Sequence, residues 1–333
     1  MASSPRRVAH LIGRSAGGMR RHVRYLAANP PFGYETLGVW GPAELEGYFD
    51  TLPFFRATPL DRVWGPRRAH VIHAHGLSAG GVVLQPMHEP VVLTLHTDVT
   101  TQGRTARSSL LRSVARLIAA RADAVIAVSD QVARAFRQAH VIAPATEPLR
   151  AAAEPRDAVR RTLGTQAERV VVISVARLHP DKALDLFIDA LAGVDAEGWI
   201  VGDGPLRAEL ETRVRGTNVR LLGYRSDVAD LLAAADVFAL PSVGEAYGIA
   251  VQEALSAGLP VVTSDAGAMP ELIGEGGIVV PAGDRDAFVD ALRRVVDDED
   301  LRTNLGWRAR ARRFTDPSEL VARIGAVYDS VLR

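Results

Sequence analysis

Two carboxylates, Glu245 and Glu253, with seven residues between them, mark the stretch PSVGEAYGIAVQEALSAGLPVVTSD, Pro241 to Asp265. Glu245 sits among Gly and Ser in a loop. The run YGIAVQEAL predicts a helix starting near Gly248, which puts Glu253 about five residues in, roughly 7–8 Å along the axis. A carboxylate accepts two hydroxyl hydrogen bonds well. The gap between the acids therefore suits a polyol, a ribose diol or adjacent sugar hydroxyls, with the N–H groups of the helix start between them. The competing reading is an ordinary helix glutamate and a loop glutamate that favours the helix dipole. Against it, the rest of 249–257 is Ile, Ala, Val, Gln, Ala, Leu, Ser and Ala. That describes a largely buried helix, in which a carboxylate without partners is costly.

A cationic pair stands upstream. Arg177 follows the apolar run VVVISVA, and Lys182 comes five residues later in ARLHPDKAL. A guanidinium clamps phosphate oxygens bidentately, whereas an ammonium is a compact charge that follows a moving oxygen. Surface salt bridges at a strand end use the same residue types, but Lys182 is the only lysine among 39 basic residues. Everywhere else a solubilising charge is arginine.

Other motifs are weaker. Gly17-Gly18, ahead of a helix beginning near Met19, lets a ligand approach the backbone and offers N–H groups to an anion. Neither GRSAGG nor GDGPLR, which holds Gly202, completes the dinucleotide pattern G-x-G-x-x-G, and there is no P-loop. His73 and His75 in HVIHAHG point the same way from a strand. They have the chemistry of metal ligands, but no third ligand is evident, and hydrogen bonding at a cleft edge is expected of them. Asp284-Arg285-Asp286 reads as a helix cap and Asp298-Glu299-Asp300 as a solvated helix end, not as metal sites.

These residues need a scaffold. A chain of 333 residues, 47% hydrophobic, suggests two domains of about 150 residues each. The absence of cysteine removes disulfides, thiolate zinc sites and cysteine nucleophiles, and fits a reducing compartment. MASSPRRVAHLIG lacks the apolar stretch of a signal peptide, and no run approaches the ~18 apolar residues of a membrane span. A cytoplasmic protein is expected. Residues 1–150 hold 18 arginines and 10 acidic residues, a balance of +8, and the remainder balances at −8. Eight of the nine histidines are also in the first half. This shift supports a boundary near 150, and it reads equally as an anionic ligand on the first half or as surface charge that has drifted between the halves.

Six β-branched apolar runs occupy each half: 7–13, 34–41, 70–76, 91–96, 124–129 and 140–145, then 169–177, 199–204, 219–224, 237–242, 260–265 and 277–283. They are continuous rather than alternating, as in parallel strands covered on both faces. Helical patterns at 105–121, 129–138, 181–193, 205–215, 226–235, 248–257 and 284–296 lie between them. The β-α repetition predicts an α/β fold of two facing doubly wound parallel-sheet domains with a cleft between them. The domains expected are 1–150, on the acceptor side, and 151–317, on the donor side, with a last helix at 318–333 packing back on the first. In such sheets ligands bind at the carboxyl ends of the strands, where Arg177, Lys182 and Glu245 all fall.

The set as a whole, E-x7-E preceded by LLAAADVFALPS and followed by AGLPVVTSDAGAMPELI, with VARLHPDKALD and VGDGPLRAELE upstream, resembles the family-4 retaining glycosyltransferases of the GT-B fold. The resemblance is close over 169–315. In the first half AGGMRRHV looks like the family's glycine loop and VVLTLHTD like its histidine loop. It implies transfer of a hexose-type sugar from a nucleotide-diphosphate sugar to a hydroxyl acceptor. Arg177 and Lys182 would neutralise the diphosphate, Glu253 would hold the ribose, and Glu245 with the backbone of Ala246, Tyr247, Gly248 and Ile249 would hold the sugar. Gly17 and Gly18 would meet the diphosphate from the other domain, His96 would reach the sugar or the reacting centre, and Gly202 with Tyr224 and Arg225 would belong to the nucleotide pocket. Ala176 and Ala183 stand where the family commonly has glycine.

The resemblance further implies a front-face mechanism with no enzyme nucleophile. Arg177 and Lys182 supply +2 and two helix N-termini roughly +0.5 each, so a diphosphate is neutralised with no metal and no cofactor. The basic helix Arg104–Arg121, with Leu110, Leu111, Val114, Leu117 and Ile118 on one face, is a candidate for peripheral contact with anionic membrane on the cytoplasmic side. No nucleic acid is expected as partner. The alternatives are a catalytically silent sugar-nucleotide-binding protein and a nucleotide-sugar 2-epimerase on the same fold.

Overall fold

The computed structural model describes residues 4–13, 17–57, 68–84, 89–96, 106–136 and 138–333, with backbone only for 106–108. They form two compact units, residues 1–148 with 315–333, and residues 149–314.

The first unit holds strands β1 (Arg6–Ile12), β2 (Tyr34–Gly41), β3 (Phe54–Arg56), β4 (Val71–His75), β5 (Val91–Leu95), β6 (Ala124–Ala127) and β7 (His140–Val141), and helices α1 (Gly18–Ala28), α2 (Leu77–Gly80), α3 (Ala106–Arg121) and α4 (Asp130–Ala133). Its sheet is parallel, in the order β3-β2-β1-β4-β5-β6-β7. Every residue of β4 and β5 is buried, which is why these strands hold no Asp, Glu, Lys or Arg. Strand β3 was not expected: three residues at the sheet edge carry too little pattern to be read.

The second unit holds β8 (Val170–Val175), β9 (Ala196–Val201), β10 (Val219–Gly223), β11 (Val237–Leu240), β12 (Val261–Ser264) and β13 (Gly277–Val280). Their order is β10-β9-β8-β11-β12-β13, again parallel. Its helices are α5 (Arg156–Thr162), α6 (Leu184–Leu191), α7 (Arg207–Arg213), α8 (Val228–Ala234), α9 (Ile249–Ser256), α10 (Met269–Ile273), α11 (Arg285–Asp297) and α12 (Glu299–Ala311). Helix α5 is fixed through Arg160, 1% exposed. Its guanidinium donates to Ala234 O at 2.9 Å, Ala167 O at 2.6 Å, Arg169 O at 2.8 Å and Asp236 Oδ2 at 2.6 Å. Asp284 caps α11, accepting from Ala287 N–H. Asp298, expected at a solvated helix end, instead caps the start of α12, accepting from Leu301 N–H. The break at 298 divides what reads as one charged surface stretch into two helices.

The last helix, α13 (Pro317–Val331), belongs to the first unit, where Leu320, Ile324, Val327 and Tyr328 pack with Val8, Leu26 and Val71. Helix α3 turns Ala115 and Ile118 inward. Leu110, Leu111, Val114 and Leu117 lie outward, 41–66% exposed, so Ile118 leaves the stripe expected of it. Among the described residues no helix is long and apolar enough to cross a membrane.

In each sheet the strand order reverses once, between β1 and β4 and between β8 and β11. Such switch points open crevices at the carboxyl ends of the strands; Arg177 and Lys182 follow β8 and Glu245 follows β11, whereas Gly202 follows β9 and Tyr224 and Arg225 follow the edge strand β10.

Candidate functional site

In the second unit, β8 runs into Ala176-Arg177-Leu178. Ala176 N–H donates to Val201 O at 3.0 Å and Leu178 N–H to Asp203 O at 3.0 Å. Two glycines permit this approach. A Cβ on Gly202, whose φ is +142°, would lie 1.9 Å from Ala176 O, and one on Gly204 would lie 2.5 Å from Leu178 O. The strand-end loop is therefore held flat, with Leu178 buried as its anchor. The Arg177 side chain is exposed.

The single-turn 3-10 helix Pro180–Lys182 follows. Lys182 Nζ donates to Glu245 Oε2 at 2.6 Å and to Gly244 O at 3.3 Å. The two side chains are 14% and 18% exposed, so the pair sits in a recess. Backbone bonds align them: Val243 N–H and Gly244 N–H both donate to Asp181 O. The loops after β8 and β11 are thus joined across the switch point. Ala183, directly after Lys182, is left-handed at φ 46°, ψ 44°, a conformation that favours glycine.

The loop from Glu245 to α9 is equally tight. A Cβ on Gly267 would meet Glu245 O at 1.9 Å, and one on Gly248, φ +96°, would meet Met269 Cε at 2.2 Å. Gly248 precedes Ile249 with no side-chain cap on the helix, so the first N–H groups of α9 are open to an anion or hydroxyl. Ala246 N–H donates to Glu245 Oε1 at 3.2 Å. Glu253, four residues into α9, is 8% exposed, about 6 Å along the axis from the helix start. Tyr247 packs against the core, and burial pushes its phenol up to about 12. Of the turn after β10, Tyr224 is 72% exposed. Arg225 is held by Asp227, with Nε 2.7 Å from Oδ1, an ion pair that raises the guanidinium and lowers the carboxyl. The Arg225 side chain is thus engaged, which leaves the turn's backbone groups and the exposed Tyr224 ring to meet a base.

In the first unit, Gly17 at φ 63° leads into α1 without a side-chain cap. Beside it stands a feature the sequence reading missed. His73 and His75 are not at a cleft edge but fully buried, and three more rings join them: His10 from β1, His22 from α1 and His96 just beyond β5. His73 bonds Tyr328 OH at 2.7 Å and Thr94 Oγ1 at 2.6 Å. His10 Nδ1 lies 3.2 Å from His75 Nε2, and His22 Nδ1 lies 2.9 Å from Ala145 O. Burial pulls His10 down to about 3 and His22 to about 4, and holds His73, His75 and His96 well below the usual range. The cluster is neutral at physiological pH, and His96 is part of it. The available signal was register: His10 pairs with His73 in adjacent strands.

Known proteins resemble this chain in sequence and in fold. Residues 169–298 match the pattern described as glycosyl transferases group 1, and residues 16–147 match glycosyltransferase family 4. The phosphatidyl-myo-inositol mannosyltransferase of Mycobacterium leprae is 31% identical over 279 residues, 78% of this chain and 73% of that one. A GDP-mannose-dependent phosphatidylinositol dimannoside mannosyltransferase of Mycobacterium tuberculosis is 35% identical over 170 residues, 48% of this chain. That match spans only 45% of the relative's length. In fold the chain is similar to Anabaena Alr3699/HepE in complex with UDP-glucose (TM-score 0.82, 24% identity, 97% of this chain and 99% of that one). It is also similar to WaaG, a glycosyltransferase involved in lipopolysaccharide biosynthesis (TM-score 0.70, 18% identity, 96% and 99%).

Proposed function

The chain belongs to the family-4 glycosyltransferases and has their GT-B-like fold, and from that premise we propose that it moves a hexose-type sugar from a nucleotide-diphosphate sugar to a hydroxyl acceptor, with retention at the anomeric carbon. The observation that carries this reading is the 2.6 Å contact of Lys182 with Glu245. It ties the strand-end cation to the loop acid in a recess, one turn ahead of an uncapped helix.

The step follows from those groups. The bond from C1 to the leaving phosphate oxygen breaks while the acceptor oxygen bonds to C1 on the same face. The acceptor's proton passes to the departing phosphate oxygen, so the protein supplies no nucleophile. Its work is electrostatic, directed at charge that grows on the leaving group. That group bears about −2 to −3, against +2 from Arg177 and Lys182 and roughly +0.5 from the N-terminus of α9. The diphosphate is neutralised without a metal bound to it. When the ammonium turns to the phosphate, Glu245 is freed to accept from a sugar hydroxyl, and Glu253 accepts from the ribose diol.

Release of free nucleotide from a panel of nucleotide sugars tests this. Lys182→Ala and Arg177→Ala should each cut kcat by about 10²–10³, and Lys182→Arg should not restore it fully. Turnover like that of the unaltered chain in both alanine variants sinks the proposal, and binding of nucleotide sugars without any turnover supports the silent binder instead. Contact with an anionic membrane belongs to the same proposal. The exposed Leu110, Leu111, Val114 and Leu117 lie on a helix whose charges are all arginine, the composition of an interfacial helix. Co-sedimentation with anionic vesicles no greater than with neutral ones removes that part.

A further inference from the structure

Of the buried histidines, two threesomes bring ring nitrogens together: His10, His73 and His75, and His22, His75 and His96. The first is already occupied by its own hydrogen bonds. Both nitrogens of His73 are engaged by Tyr328 and Thr94, and His10 Nδ1 faces His75 Nε2. The second is different. His22 Nε2, His75 Nδ1 and His96 Nε2 are all shielded from solvent, and none has a hydrogen-bond partner among the described residues. One nitrogen of each ring lies within 4.8 Å of the others.

For His22 and His75 the other nitrogen fixes what the ring offers. Ala145 O only accepts, so His22 Nδ1 carries the proton and Nε2 presents a lone pair. His75 Nε2 is engaged by His10 Nδ1 at 3.2 Å, which directs Nδ1 toward the gap. A carbonyl or a second ring holding the far nitrogen is the arrangement found behind metal-bound imidazoles. We propose that His22, His75 and His96 form a binding site for one imidazole-preferring divalent transition ion of the zinc class, with a fourth position left to water or a hydroxyl.

Neutral imidazole nitrogens at about 2.0–2.1 Å are the ordinary ligands of such an ion, and three of them with one open position is a familiar coordination. The rings need to draw together by about an ångström, since ligands at that bond length stand roughly 3.3–3.5 Å apart. Hard oxygen-seeking ions are disfavoured because the gap presents only nitrogen. The site rests on the first unit alone. The transfer chemistry proposed for the second places no metal on the diphosphate, and His96 is the one residue that both readings use.

Cobalt(II) makes the site visible. The full chain, without a polyhistidine tag and stripped by chelator, should take up one Co²⁺ with the strong visible bands of a four-coordinate ion, and Zn²⁺ should displace it and raise the melting temperature. His22→Ala and His96→Ala should each weaken binding more than about tenfold, and His10→Asn, which acts through His75, by about 10–100-fold. His140→Ala, on the surface, should leave it unchanged. Sub-stoichiometric uptake, a weak six-coordinate spectrum, or equal affinity in the His22 and His96 variants overturns the proposal. If His22→Ala does not fold by circular dichroism, His96→Gln at the strand end decides, together with the Zn²⁺ shift in the unaltered chain.

Discussion

Acid should loosen the first unit before the second. In the folded chain His10 stays unprotonated down to about pH 3 and His22 down to about 4, because burial disfavours the charged ring. In the unfolded chain each protonates near 6.5. Above that value neither state is protonated and nothing is lost. Below it the unfolded state binds protons that the folded state refuses, so stability falls with pH until the folded values are reached. The slope reaches about 1.4 kcal/mol per pH unit per ring well below 6.5, so His10 and His22 together cost about 3 kcal/mol between pH 6.5 and 5. His73, His75 and His96 are shifted in the same direction, while the second unit holds one histidine, His179. Total stability of a domain is about 5–15 kcal/mol, so the loss is decisive. Hydrogen exchange followed by mass spectrometry, in chelator and corrected for the intrinsic rate, reads both units at once. Protection in β1, β4 and β5 should drop by two to three orders of magnitude more than in β8, β9 and β11 between pH 6.5 and 5, about 1.4 kcal/mol per order. Equal losses in the two sheets would refute the claim that the rings are held neutral.

Other substitutions probe the donor-side scaffold. Ala183→Gly removes a left-handed strain of about 1–2 kcal/mol and adds about 0.4–1 kcal/mol of unfolded-chain entropy. A small gain in the urea midpoint is expected, and a clear loss would show that Ala183 is not strained. Gly202→Ala drives a methyl into Ala176 O and should destabilise by at least about 2 kcal/mol in the same assay, with weaker nucleotide binding; a neutral result would mean the strand-end loops part easily. Arg160→Met strips a buried cation from Asp236 and three carbonyls and should cost about 3–5 kcal/mol in urea unfolding, so a change under about 1 kcal/mol would contradict the assigned network.

Much of the architecture was legible because parallel strands buried on both faces must be apolar throughout, and the turns between them need Gly, Pro or Asp. The same logic found the tight loop at Gly248, since a helix that opens toward a ligand has no side-chain cap to give. What escaped were features set by tertiary register. Nothing in HVIHAHG tells that His10, some sixty residues earlier, lies opposite His73, or that His22 reaches the same place from a helix. Asp298 read as a frayed end because a helix break between two charged helices leaves no apolar signal. Arg225 read as part of the nucleotide pocket, and its ion pair with Asp227, two residues on, shows only once the backbone turn is known.

Helix α13 has a consequence for how the protein is made. The first unit lacks one wall until residues 317–331 are synthesised. At about 5–20 residues per second some 10–30 s pass between the appearance of Pro148 and that of Pro317. During that interval the apolar surface around Val8, Leu26 and Val71 is open and His73 lacks its tyrosine. The second unit, built from one uninterrupted segment, has everything it needs sooner, so the half translated later matures first.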